Sequence, residues 1–345
     1  MLAKASGDGM VEIIAELAQG FEGRPEQARL LLKAAAAAGA DAAKYQLVYA
    51  DELAAPDYKH YQLFKSLEMS DDVWLQLAAD AAELGIRLQV DIFGARSLAL
   101  AERIGVGAIK LHGTDISNRG LLAAVAKSSA DKVLLGAGGS HASEIDEALN
   151  ILSPKTVVVL LGFQGYPTPD DANQIVRVRL LADRFRSTRP NAVIGFADHA
   201  SPESPLRFAL ASAAVGAGAT VIEKHLTLGR AMKMEDHESA LNPDEFAEFA
   251  HTVRACALAM GAVANADDFG MSAAEHSYRN MIRRHVVAGS ELAAGTALTP
   301  AHLVLKRTSA ADALTDLRVA YGRTLRRPIE KDAPLRAADL VEGRQ

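Results

Sequence analysis

Several strand-like segments of this chain end in side chains that can bind, polarise or carry protons. The β-branched run TVIEKH (220–225) closes on Glu223, Lys224 and His225, and AVIGFAD (192–198) leads into His199 behind Asp198. Unpaired charge is costly to bury, so such ends either run out into solvent or face a site. The pattern recurs along the chain. Glu16 ends VEIIAE (11–16), Lys44 and Gln46 lie in AAKYQLV (42–48), and Asp91 lies in LQVDIF (88–93). Lys110 and His112 lie in AIKLHG (108–113), with Thr114 and Asp115 just beyond, and Gln164 and Tyr166 follow TVVVLLG (156–162). One polar residue at a strand end is what fraying gives; repetition in nearly every strand points to an active site. His199 and His225 end consecutive strands, and two neutral imidazoles can share Mn, Fe, Co or Zn. Hydrogen-bonding roles are equally open to them. Lys44 and Lys110 have the chemistry to hold a carboxylate or phosphate, and ion pairs with Glu16 or Glu223 are the competing reading. His60, His141, His251, His276 and His302 fall on expected helices or loops and read as surface residues.

The elements that must position these groups follow from the hydrophobic pattern. Adding VLLGAG (133–138) gives eight short apolar runs, separated by amphipathic stretches such as PEQARLLLKAAAAAG, SDDVWLQLAADAAELG and SEIDEALNIL. Ser70 and Ser143 are candidate N-caps, and Gly39 and Gly85 candidate stops. Strands apolar on both faces and alternating with helices form a parallel sheet. Eight such units are the count of a closed (β/α)₈ TIM barrel, whose chemistry sits at the C-terminal strand ends. An open dinucleotide-binding sheet is disfavoured, because the first turn reads AQGFEGRP without GxGxxG.

The barrel is expected over 1–262, a linker over 263–278 and a small β-rich domain over 279–345. Residues 279–345 carry 12 Lys or Arg against 7 Asp or Glu, while the rest of the chain is strongly acidic. Opposite charge suits two domains that touch. A net charge of −6 argues against general nucleic-acid binding. Hydrophobic content of 49% and charged content of 23% are those of a soluble globular protein. No apolar run reaches membrane-spanning length, and no signal-peptide core is evident. Cys256, the single cysteine, allows neither an intrachain disulfide nor a Cys-rich zinc site. A cytoplasmic location is the default expectation.

Six segments then align in order and spacing with a known family: IIAE (13–16), AGADAAKYQ (38–46), YPTP (166–169), GFADH (195–199), GATVIEKHLTL (218–228) and DHESALNPDEF (236–246). With them the chain resembles the N-acetylneuraminate (sialic acid) synthase family over nearly its whole length. YRNMIRRHVVAGSELAAGTALTPAHLVLKR resembles the family's C-terminal antifreeze-like (SAF) domain. The resemblance implies condensation of phosphoenolpyruvate with an N-acyl amino sugar to an α-keto acid, with release of phosphate. It implies a divalent metal, Mn²⁺ or Mg²⁺, held by His199 and His225, and phosphoenolpyruvate held by Lys44 and Lys110. Glu16, Gln46, Tyr166 and Asp236 match residues that face the sugar or assist proton transfer, Gln164 is a further expected substrate contact, and Asp115, expected to be catalytic with Glu16 and Tyr166, stands where members usually carry Glu. Arg284 matches an arginine delivered into the partner's barrel, which implies a homodimer with swapped SAF domains.

The departures cluster on the phosphate side. Asp91 stands in place of a Thr, Gly113 in place of a Ser, and Gly136 and Ala137 in place of a Ser-Thr pair; Ala197 replaces another Ser. Each hydrogen bond lost to a charged group costs about 1.5–3 kcal/mol. A second reading therefore stays open, in which a relative with an altered phosphoenolpyruvate pocket performs another metal-dependent carbohydrate reaction or only binds sugar.

Overall fold

Eight parallel strands close into a barrel in sequence order: β1 (Glu12–Ala18), β2 (Ala42–Gln46), β3 (Arg87–Ile92), β4 (Ala108–Leu111), β5 (Lys132–Gly136), β6 (Thr156–Leu161), β7 (Ala192–Asp198) and β8 (Val221–His225). These coordinates are a computed structural model that describes residues 11–341, apart from 163, 164, 186, 187, 190, 191, 262–266 and 268. The TIM-barrel expectation holds, with β8 pairing back onto β1 through Glu16 and His225.

Register sorts the inward side chains into layers. Ile14, Ala42, Ala108, Leu134, Val158 and Val221 form the apolar plug. Below it Glu12 meets Lys132 and, at 3.0 Å, Arg87. Above it the pairings Glu16↔Lys44, Gln46↔Asp91 and Asp91↔Lys110 stack charged residues at the C-terminal end. Because strand side chains alternate, Tyr45 points the other way from Lys44. It packs edge-on against Phe21 and Trp74 at 6.1 and 5.9 Å, and its hydroxyl donates to Ala28 O at 2.7 Å. The outward aromatic cluster thus fixes the inward lysine.

The helix Asp71–Leu84 begins after Ser70, whose side chain makes no capping bond, and stops at Gly85 with φ 70°. Ser143 is not a cap. Its helix runs Ala142–Ile151 behind His141, whose N–H donates to Glu144 Oε2 at 2.7 Å. The reciprocal partner three residues on, not the hydroxyl, marks the start.

The backbone divides into two compact units, Met1–Gly261 and Ala262–Gln345. In the second, the helix Ala273–Ile282 starts on a Ser272–Glu275 capping box, so part of the stretch expected as linker is helical. Strands β9 (His285–Ala288) and β10 (Leu303–Lys306) pair antiparallel, and single bridges such as Leu292↔Ile329 and Leu325↔Leu340 extend the β framework. Val286, Leu292, Leu298, Leu303 and Leu325 form its core. Among the described residues no helix is long and apolar enough to cross a membrane.

Candidate active site at the barrel mouth

Above the apolar plug, two ammonium groups lie among three carboxylates, all buried. Lys44 Nζ donates to Glu16 and, at 2.6 Å, to Asp91 Oδ1; Glu223 Oε2 lies 3.5 Å away. Lys110 Nζ donates to Glu223 Oε1 at 2.6 Å, with Glu16 at 3.6 Å and Asp91 Oδ2 at 3.9 Å. Burial alone would strip these lysines of charge. Asp91, Glu16 and Glu223 outweigh burial for Lys44, and the same three do so more strongly for Lys110, so both stay ammonium. Burial likewise pushes the acids up, but for Glu16 and Glu223 the two lysines prevail and hold them below the ordinary carboxylate range. For Asp91 burial prevails, and its carboxyl is pushed up to about 6. Asp91 Oδ2 and Glu223 Oε2 have no hydrogen-bond partner among the described residues.

Beside this cluster the rings of His199 and His225 lie 5.3 Å apart, with Tyr166 edge-on to each at 5.1 and 5.7 Å. Asp236 Oδ2 is 4.0 Å from His225 Nδ1. Asp236 takes the left-handed backbone (φ 61°) that bends the loop after β8 back over the mouth. Burial, with Glu16 and Glu235 adding to it, pushes its carboxyl up to about 7. Burial holds both imidazoles neutral: His225 is pushed down to about 3, and His199 well below its usual range, helped by His225. The backbones are clamped as well. His199 O accepts from Thr168 N and Ser239 Oγ, each at 2.9 Å, and His225 O accepts from Leu241 N at 3.0 Å.

A divalent cation fits this donor set. Two neutral imidazoles lie 5.3 Å apart, tilted at 50°, and among the described residues His199 Nδ1 is buried without a partner, which is the state a metal-binding nitrogen requires. Among the described residues no group of three His, Cys, Asp or Glu is gathered as a cation shell. The protein side would thus be the two histidines, leaving positions for substrate and water.

A family model described as the NeuB family matches residues 31–265, and a SAF domain model matches residues 283–341. The chain belongs to the NeuB family. Its relatives include the N,N'-diacetyllegionaminic acid synthase of Campylobacter jejuni, 27% identical over 86% of this chain and 90% of that protein. The spore coat polysaccharide biosynthesis protein SpsE of Bacillus subtilis is 30% identical over 72% of this chain and 68% of its own length. Among solved structures, the N-acetylneuraminic acid (sialic acid) synthetase of Leptospira borgpetersenii superposes with a TM-score of 0.72 at 26% identity, covering 82% of this chain and 96% of that one.

Within this NeuB-family barrel, Glu16, Lys44, Lys110, Tyr166, His199, His225 and Asp236 come together at one end. Gln46 sits on the same inward face as Lys44, and its amide oxygen accepts from Gln19 Nε2 at 2.7 Å. Asp115 lies on the turn after β4 and accepts from Asn118 Nδ2 at 2.9 Å. Gln164 lies outside the described residues. Arg284 is exposed in the second unit, just before β9. Two charged residues grouped with the mouth do not face it. Lys224 is the neighbour of inward Glu223 and His225, so alternation turns it outward, where it donates to Asp198 Oδ1 at 3.1 Å and Ala200 O at 2.8 Å. Strict period-two reading of AVIGFAD and TVIEKH finds both. Missed altogether was Ser239, whose grip on His199 joins loops that are distant in sequence.

At Gly136 the absence of a side chain has a steric cause. A Cβ on Gly136 would lie 2.8 Å from Gly113 N and 3.3 Å from Leu111 O. The ends of β4 and β5 thus approach closely at Gly136, whereas a Cβ on Gly113 would come no nearer than 3.5 Å to Gly136 O and Gly138 O, so only the first position resists a side chain. Gly136→Ser should destabilise the protein by about 1–3 kcal/mol without tightening anion binding. Denaturant melts alongside phosphate titrations check this, and an unchanged melt would remove the steric account. Nearby, Gly138, Gly139, Ser140, His141 and Arg177 help line a cavity of about 290 Å³.

Proposed function

We propose that the protein is a phosphoenolpyruvate-dependent synthase of the sialic acid type, joining a three-carbon donor to the aldehyde carbon of an N-acyl amino sugar and releasing phosphate. The observation that carries this reading is that a buried lysine pair and a pair of neutral histidines open from one barrel mouth, side by side. One half suits an anionic donor and the other a polarised sugar. Lys44 and Lys110 would hold the donor's carboxylate or phosphate in fixed orientation, which lowers the entropic part of the barrier. Tyr166, 42% exposed and edge-on to both histidines, offers a ring face and hydroxyl to the sugar. Glu16 and Asp236 lie on either side as proton-handling groups. His199 and His225 would hold Mn²⁺ or Mg²⁺, a Lewis acid for the sugar carbonyl when bound. Gln46, Asp115 and Gln164 complete the proposed acceptor side.

The same reading includes a barrel domain, a C-terminal SAF domain, a cytoplasmic location and a homodimer in which Arg284 of one chain reaches its partner's barrel. It is supported by the family membership, the SAF match and the exposure of Arg284.

Protein supplied with Mn²⁺, phosphoenolpyruvate and a panel of N-acyl hexosamines should release phosphate in a sugar-dependent manner. One observation favours a second reading: both lysines already have carboxylate partners. Thermal stabilisation by sugar with no phosphate release would establish a carbohydrate-binding or differently reacting relative instead.

A further inference from the structure

We propose that Asp91 serves the site as a neutral carboxylic acid, so that an anionic substrate group enters the lysine pair together with one proton taken from solvent. This rests on the reading that the donor is held by Lys44 and Lys110, and it assigns Asp91 as the residue that sets when they can hold it.

The charge count is the first argument. Glu16 from β1, Lys44 from β2, Asp91 from β3, Lys110 from β4 and Glu223 from β8 meet in one buried cluster. Fully ionised, they carry two positive and three negative charges. An incoming phosphate monoester or carboxylate then meets ammonium groups already engaged and a surplus of negative charge, in a low-dielectric setting that strengthens the repulsion. One proton brings the cluster to neutrality and frees the lysines to attract.

Atom-level geometry says where that proton goes. Glu16 accepts from Lys44 and also, at 2.8 Å, from the N–H of Ala18. Glu223 accepts from Lys110 through Oε1, and its Oε2, also without a hydrogen bond among the described residues, lies 3.5 Å from Lys44, nearer a cation than Asp91 Oδ2 is to Lys110. Among the described residues Asp91 accepts only from Lys44, through Oδ1, and its buried Oδ2, 3.9 Å from Lys110, has no hydrogen-bond partner. Asp91 is also wholly buried, at 0% exposure. An unpaired carboxylate oxygen there is an unsatisfied acceptor, whereas a protonated one is an O–H donor. A neutral Asp91 therefore offers a bound oxyanion the donor that a hydroxyl side chain would otherwise supply, while Lys44 keeps its bond to Oδ1. Burial pushes the Asp91 carboxyl up to about 6, so the proton is available under mildly acidic conditions and must be taken up on binding above them.

Calorimetric titration of the holoprotein with phosphoenolpyruvate, in buffers of different ionisation heat, tests this. Inorganic phosphate and pyruvate are run alongside. Above about pH 6, wild-type affinity should fall about tenfold per pH unit, with uptake of about one proton per anion bound beyond the ligand's own. Asp91→Asn, which cannot ionise, should bind phosphoenolpyruvate about 100-fold more tightly than wild type at pH 8, without that uptake. Equal proton uptake by wild type and Asp91→Asn, or none by wild type, overturns the proposal. Proton-linked binding of phosphate but not phosphoenolpyruvate keeps it while removing the donor reading. Binding of none of the three anions by either protein removes both.

Discussion

Lys44→Met should cost the fold about 3–5 kcal/mol at neutral pH and abolish turnover. The lysine is fully buried between Glu16 and Asp91, with Glu223 in range, and Met fills its volume without its charge. Lys110 is then left alone against three carboxylates. Those acids must rise in pKa to relieve the unpaired charge, so the variant's native state binds more protons than its unfolded state. Its stability therefore increases as pH falls, and the gap to wild type should narrow from pH 7 toward pH 5. Denaturant unfolding at the two pH values measures this. A second substitution separates charge from packing: Lys44→Met with Asp91→Asn should recover part of the loss, because one uncompensated charge is removed. A loss of equal size at both pH values, unrelieved by Asp91→Asn, would show that packing rather than charge is what Lys44 supplies.

The second large effect concerns the metal. His199→Ala and His225→Ala should each weaken Mn²⁺ binding by more than about 100-fold, since altering even an outer-shell partner of a metal ligand costs about 10–100-fold. Sugar-dependent activity should vanish with it. The fold should survive, because the loop contacts at both positions run through the backbone: His199 O to Thr168 and Ser239, His225 O to Leu241. Removing metal from the wild type with a chelator should reproduce the loss of activity, and re-addition should restore it. Direct titration of Mn²⁺ against the two variants is the decisive measurement. Undiminished binding in both would leave the histidines as hydrogen-bonding or packing groups.

How far the sequence carried the reading depends on the range of the interactions involved. All eight barrel strands were legible, because burial on both faces writes a continuous apolar run into each segment. The polar ends were legible for the same reason: a charged residue breaking such a run has few places to go. Which side of the wall a charge faces is a matter of period two, and where polar residues run together at a strand end only that alternation separates inward Glu223 and His225 from outward Lys224. The carboxylate partners of Lys110 were harder. Its bond to Glu223 spans 113 residues and forms only when β8 closes onto β1. Sequence offered Glu16 or Glu223 as partners for either lysine but gave no means of seeing that Asp91 would join them. Gly113 and Gly136 illustrate the same point. Singly they read as lost hydroxyls, and only their juxtaposition identifies them as a close approach of two strand ends.

The outward pair Asp198–Lys224 has a consequence for how such a barrel diversifies. Lys224 bonds Asp198 and the carbonyl of Ala200, tying the tips of β7 and β8 on the wall's far side. The distance between the two imidazoles is thereby governed from behind, by groups that no substrate touches. The loops in front can then change length and composition without moving the strand tips that carry His199 and His225. The ties that hold the strand tips and the loops that front the mouth thus lie on opposite faces of one wall.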